Sequence, residues 1–111
     1  MTITEEIQHW KKKRNAVILA HYYVSEAVQE LADYVGDSFY LSKIAVGLKE
    51  TTIVFCGVSF MGESAKILNP HKTVLMPDAT ADCAMAHMAT PETIQAMREK
   101  YEDLAVVCYI N

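Results

Sequence analysis

The 111-residue chain has only three cysteines, and Cys56, Cys83 and Cys108 are odd in number, widely spaced and without any Cys-x-x-Cys pair. That excludes a disulfide framework and a complete zinc site built on thiols of this chain. Glycine is scarce as well, with four in all. Gly36 and Gly57 stand singly, and no Gly-x-x-x-x-Gly-Lys occurs, so nucleotide binding has no phosphate-cradling loop to rest on. No stretch approaches the roughly 20 apolar residues of a membrane span, and the amino terminus lacks the apolar core of a signal peptide, so a cytoplasmic protein is expected. Positive charge is in deficit: the net charge is −4, and the basic residues gather mainly at Lys11 to Arg14. No cationic face of the size needed for a phosphate backbone can form, which removes nucleic acid as a partner. Nothing is repetitive. The composition, 51% hydrophobic and 22% charged, is that of a globular chain, and the length suits one domain over residues 1–111.

What the sequence does have is four apolar runs that each stop at reactive side chains. Ala16 to Ala20 stops at His21-Tyr22-Tyr23, Thr52 to Phe55 at Cys56-Gly57, Thr73 to Met76 at Pro77-Asp78, and Ala105 to Val107 at Cys108-Tyr109-Ile110-Asn111. Helical patterns separate them. Thr2 and Glu5 have capping-box spacing ahead of the stripe Ile3, Ile7, Trp10. Ser25 precedes a stripe of Val28, Leu31, Ala32 and Val35 that stops at Gly36. Asp37 and Ser38 offer caps for a second helix with Leu41, Ile44, Ala45 and Leu48 inward, so two helices are expected between the first two strands. Ser59 to Asn69 closes before Pro70, and Thr90-Pro91-Glu92 opens a last helix with a buried stripe of Ile94, Met97 and Tyr101. The expectation is an α/β fold, a three-layer sandwich on a four-stranded parallel sheet with right-handed crossovers. In such sheets ligands bind at the carboxyl ends of the strands, where all four reactive clusters would gather.

Within those clusters the chemistry differs by residue. Cys56 and Cys108 lie in or at the end of apolar strands, as small buried hydrophobes do. Cys83 sits in the thirteen-residue segment 77–89, longer than an ordinary connection, with Asp78, Asp82 and His87. A helix start nearby would favour its metal-binding thiolate, and i, i+4 spacing would put His87 on its side. Spacing alone leaves Cys83 open between a structural and a functional role. His21 emerges at a strand end, placed to hold an anion or move a proton. Alternation along an extended chain makes Tyr23 its partner and sends Tyr22 to the core. Ser38, at a helix start, either caps that helix or joins its amides in holding a carboxylate or phosphate.

At these residues the chain resembles quinolinate synthase, the iron-sulfur enzyme of NAD biosynthesis. The matching stretches are Ile18 to Tyr23, Ala32 to Ser38, Gly57 to Pro70, Asp82 to Ala86 and Tyr109 to Asn111, in family order and across nearly the whole chain. The long Gly57 to Pro70 block is the most specific. The resemblance implies a transferase that condenses iminoaspartate with dihydroxyacetone phosphate to give quinolinate, releasing phosphate and water. It implies a [4Fe-4S] cluster held by three cysteines with one iron open, and makes Cys83 the first of those ligands. It matches His21 and Ser38 to carboxylate-binding positions, Tyr23 to a catalytic tyrosine, and Tyr109 and Asn111 to substrate-binding positions; His21 and Tyr23 would be the catalytic pair.

The departure is length. The family has three similar α/β domains, each giving one cluster cysteine, and neither Cys56 nor Cys108 matches the other two ligands. The expectation is therefore a chain that matches the first domain, inactive by itself and in need of the second and third domains. Two rival readings are a non-catalytic module that keeps an anion pocket at His21 and Ser38, and a domain that associates with itself through an apolar face meant for neighbours.

Overall fold

A computed structural model describes residues 1–78 and 80–107, with the side chains of Ser38 and Met85 outside the description. Helix α1 (Ile3–Lys13) leads into strand β1 (Ala16–His21), then α2 (Glu26–Leu31), β2 (Tyr34–Gly36), α3 (Ser38–Val46), β3 (Thr52–Cys56), α4 (Ser59–Leu68), β4 (Thr73–Leu75), a 3-10 turn at Ala84–His87 and α5 (Pro91–Lys100). The four strands form one sheet in the order β2-β1-β3-β4, all parallel. The α/β class and the four-stranded parallel sheet are as the sequence predicts.

Local chemistry sets the elements. Thr2 and Glu5 form the reciprocal capping box of α1, with acids in its first turn and lysines in its last. Asn15 takes φ 51°, a left-handed conformation that asparagine tolerates, and turns the chain from α1 into β1. Asp37 caps α3 by accepting the Tyr40 N–H at 2.8 Å, and Thr90 caps α5 by accepting that of Thr93 at 3.2 Å. Ser38 is thus the first helical residue of α3 while its neighbour does the capping.

The sheet has unequal faces. Val17, Leu19, Ile53 and Phe55 point to one side and form a closed core with Leu41 and Ala45 of α3 and Met61 and Ala65 of α4. Each fully buried Leu, Ile or Phe there contributes about 1.5–3 kcal/mol relative to exposure. The other side carries Ala16, Ile18, Thr52, Val54, Cys56 and Leu75 beneath α1 and α2, around a groove of about 560 Å³. Strand β3 records the difference: Ile53 and Phe55 are buried, whereas Thr52, Val54 and Cys56 are only partly so.

Two sequence expectations need correction. The second strand is Tyr34–Gly36, where the amphipathic stripe through Val35 suggested continued helix. Asp33 is the reason: its N–H donates to the Ile18 carbonyl and its carboxylate accepts the Ile18 N–H, both at 2.8 Å, which lays the next three residues along β1. Residues 105–107 are not a strand; Val107 is 93% exposed and α5 buries none of its residues, so Met97 and Tyr101 of the expected stripe stay half-exposed. An apolar run reports affinity for a core, and among the described residues no strand pairs with this one.

The Asp33 clamp makes a prediction. Removing its carboxylate strands the Ile18 N–H, at about 1–3 kcal/mol for a half-buried donor, while the Lys11–Asp33 pair at 2.8 Å contributes under about 1 kcal/mol. Asp33→Ala should therefore destabilise by about 1–3 kcal/mol in urea unfolding, and Lys11→Ala by much less. Equal losses would assign the role to the ion pair instead.

Candidate functional site

Strand register brings the site together. His21 ends β1 opposite Gly36 of β2, while Ala20 faces Cys56, so His21 and Gly57 step past the sheet edge side by side. A Cβ built on Gly57 would lie 3.5 Å from the His21 Cβ, 3.1 Å from the Phe55 ring and 3.3 Å from the Met61 sulfur. Glycine is what allows Phe55 and Met61 to approach this closely, while the His21 Cβ would be at ordinary contact distance. Above this edge lies a hollow of about 500 Å³ whose wall includes His21, Tyr23, Cys56, Met61, Asp78 and Cys83.

The segment after β4 folds over the hollow and is anchored. The Ser59 N–H at the start of α4 donates to the Ala81 carbonyl at 3.0 Å. Asp78 accepts the Thr80 N–H at 3.0 Å and its hydroxyl at 2.6 Å, and these bonds hold the Asp78 carboxyl below the usual range. The Asp82 carboxylate accepts the Cys83 N–H at 2.8 Å and meets the His87 ring at 2.8 Å; the backbone bond first, then the imidazole, lowers its pKa. Cys83 is partly buried and its carbonyl accepts the Ala86 N–H at 3.1 Å, opening the 3-10 turn. His87 is thus engaged with Asp82, where the i, i+4 pattern paired it with Cys83.

His21 is 7% exposed. Desolvation lowers its pKa, and the Asp37 carboxylate opposes this only in part. Burial likewise pushes the Cys56 thiol up. The sign for stability follows from His21: the unfolded ring takes a proton near its ordinary pKa of about 6.5, the folded ring only at lower pH. Stability from this group is complete above about pH 6.5 and is lost as pH falls through that value toward the folded pKa. His21→Gln should flatten the fall in unfolding free energy between pH 7.5 and pH 5.5, ranges chosen to bracket about 6.5; an unchanged slope would place the titration elsewhere.

Of the residues named from sequence, His21, Tyr23 and Cys83 line the same hollow. Ser38 follows Gly36, the partner of His21, by two positions. Tyr109 and Asn111, with Cys108, lie outside the described residues. Tyr22 is corrected: it is 61% exposed, not in the core, because the chain leaves the strand at His21 and alternation ends there. The Tyr23 ring still sits closer to His21, with centroids 4.8 Å apart against 6.2 Å for Tyr22. Sequence reasoning missed Val24 and Val28 as walls of the hollow and Asp37 as the charge acting on His21. Val28 was visible only as a core stripe, and Asp37 only as a cap.

The sequence comparisons decide the family. The model for the Quinolinate synthetase A protein (NadA) matches residues 5–111. The chain belongs to that family. It is 63% identical over 107 residues to a quinolinate synthase of Fusobacterium nucleatum and 57% identical over its whole length to one of Clostridium perfringens. It is also 54% identical over 109 residues to quinolinate synthase 2 of Methanosarcina acetivorans. These alignments cover 96–100% of this chain but 35–37% of the relatives, so the chain spans about a third of the length of the curated quinolinate synthases it matches. The described donors do not by themselves fit a cluster that takes three cysteines: Cys83 and Cys56 line the hollow, and among the described residues no group of three or more His, Cys, Asp or Glu could hold a metal ion. Among the described residues no helix is long and apolar enough to cross a membrane.

Proposed function

We propose that the 111 residues are the first α/β domain of a quinolinate synthase and supply part of its catalytic centre. The complete centre condenses iminoaspartate with dihydroxyacetone phosphate to give quinolinate for NAD biosynthesis in the cytoplasm. The observation that carries this reading is that His21, Tyr23 and Cys83 line one hollow in a chain of this family.

The roles follow from position and chemistry. His21, with a ring nitrogen at the strand end, binds an iminoaspartate carboxylate, and Ser38 at the start of α3 binds carboxylate with the amides of that turn. The Tyr23 phenol, 92% exposed at the mouth, reaches an incoming substrate and donates or takes back a proton at its Oη. Tyr109 and Asn111 complete the substrate contacts. Cys83 would give one thiolate to a [4Fe-4S] cluster, the other two cysteines coming from the second and third domains of the family. When bound, such a cluster supplies a Lewis-acidic iron.

The test is complementation. Mixed anaerobically with a polypeptide carrying the remaining two-thirds of the Fusobacterium relative, the chain should restore quinolinate formation, and alone it should give none. Failure to complement while the intact relative is active would defeat the assignment. A second reading, self-association, is favoured by one observation: the groove beneath α1 leaves Leu75 52% and Trp10 42% exposed. Light scattering at rising concentration separates a dimer from a monomer.

A further inference from the structure

Every amide in the turn that follows β1 is committed. The Tyr22 N–H donates to the Gly36 carbonyl, the Val24 N–H to the His21 carbonyl, and the Tyr23 N–H to Nδ1 of the His21 ring, each at 3.2 Å. The third bond is unlike the other two, because its acceptor is a titratable ring that must choose where to carry its hydrogen. A main-chain amide can only donate. The nitrogen it meets must therefore be bare, and the neutral ring carries its hydrogen on Nε2. Among the described residues Nε2 has no hydrogen-bond partner, and the ring is one wall of the hollow.

We infer that the Tyr23 main-chain N–H is a positioning group that fixes the tautomer of His21, so that the ring meets its ligand as a neutral Nε2–H donor to a carboxylate oxygen. The tautomer rests on the turn geometry; the carboxylate rests on the function proposed above. Protonating Nδ1 would set N–H against N–H and break the turn, so the neutral form is the one the backbone favours. Among the described residues, Asp37 acts on the ring from the α3 cap, Asp78, Asp82, Cys56 and Cys83 line the hollow with it, and the phenols of Tyr22 and Tyr23 lie beside it. A neutral donor among these selects by direction and distance, where an ammonium or guanidinium would attract any anion. Tyr23 thereby acts twice, through its ring at the mouth and through its backbone on His21.

The tautomer is read directly from the chain labelled with ¹⁵N in its histidine rings and its backbone. At a pH about one unit above the ordinary histidine value, Nδ1 of His21 should show the shift of an unprotonated nitrogen and Nε2 that of an N–H. A through-hydrogen-bond coupling should join Nδ1 to the Tyr23 amide nitrogen. Tyr23→Phe keeps the amide and should leave this pattern unchanged, whereas Tyr23→Pro removes the hydrogen and should shift both ring nitrogens toward a tautomer mixture. A hydrogen on Nδ1 in the unmodified chain, or an unaltered pattern in a folded proline variant, overturns the inference. Should the proline variant not fold, presence or absence of the coupling decides. Adding malonate to millimolar concentration should shift the Nε2–H proton while Nδ1 stays bare; a proton gained by Nδ1 overturns the tautomer assignment. No response to malonate counts against the carboxylate reading of the hollow and leaves the tautomer standing on its own result.

Discussion

Cys83→Ala, in an assembly completed by the rest of a relative's chain, is expected to remove iron-sulfur absorbance and quinolinate formation together, leaving the fold within about 0.5 kcal/mol of its unmodified stability. The asymmetry comes from where the side chain sits. Cys83 is half-buried on an anchored loop, and the bonds that place that loop, the Ser59 N–H to the Ala81 carbonyl and the Cys83 N–H to the Asp82 carboxylate, do not involve the thiol, so alanine keeps them. Only the thiol is lost. The reading is checked by iron content and absorbance beside urea unfolding of the chain. An active, iron-loaded alanine variant would remove Cys83 from the ligand set, and a large loss of stability would recast it as a packing residue. Cys56→Ala is the comparison: it lines the same hollow, but burial pushes its thiol up and away from the thiolate form, so cluster and activity should persist.

Phe55→Ala should produce the largest loss of stability, about 3–5 kcal/mol. Phe55 is fully buried, the largest side chain in the core, and it joins β3 to α3 and α4. It also touches the site, since its ring would meet a Cβ on Gly57 at 3.1 Å. Truncation therefore leaves a cavity directly beneath the residue beside which His21 stands. Urea unfolding gives the stability, and the His21 ring resonances should shift in the folded variant although His21 itself is unchanged. A Phe55→Ala chain within about 1 kcal/mol of the original, far below the usual Phe→Ala range, would mean that the core is not arranged as described. Gly57→Ala tests the same spot from the other side. Its Cβ would need Phe55 and Met61 to yield by a few tenths of an ångström, so a smaller loss and a similar disturbance of His21 are expected.

Much of this was legible from the sequence because it is written in local chemistry. The α1 capping box, the α5 cap at Thr90 and the strands that lead to His21 and Cys56 each depend on residues close together in the chain. The carboxyl-edge argument selected His21 and Tyr23 because parallel register brings the strand ends level, whereas Cys83 lies in the loop beyond β4 and was singled out from the other cysteines only by the family resemblance. What was not legible depends on distant partners. Strand β2 exists because Asp33 finds Ile18 fifteen residues earlier, and a helical stripe through Val35 cannot report that bond. Residues 105–107 have the composition of a strand, but composition does not provide a neighbouring edge. Tyr22 was assigned to the core by an alternation that ceases where the β1 turn begins. The same turn yields the main-chain bond to the His21 ring, which no pattern of side chains encodes.

The central claim is that Cys83 and His21 line a single hollow. A nitroxide attached to Cys83, in a chain with Cys56→Ser and Cys108→Ser, measures it most directly. Paramagnetic broadening should erase the His21 ring signals and leave the amides of Asn15 and Thr51, at the opposite end of the strands, much sharper. Sharp His21 signals beside broadened Asn15 and Thr51 amides would contradict the account.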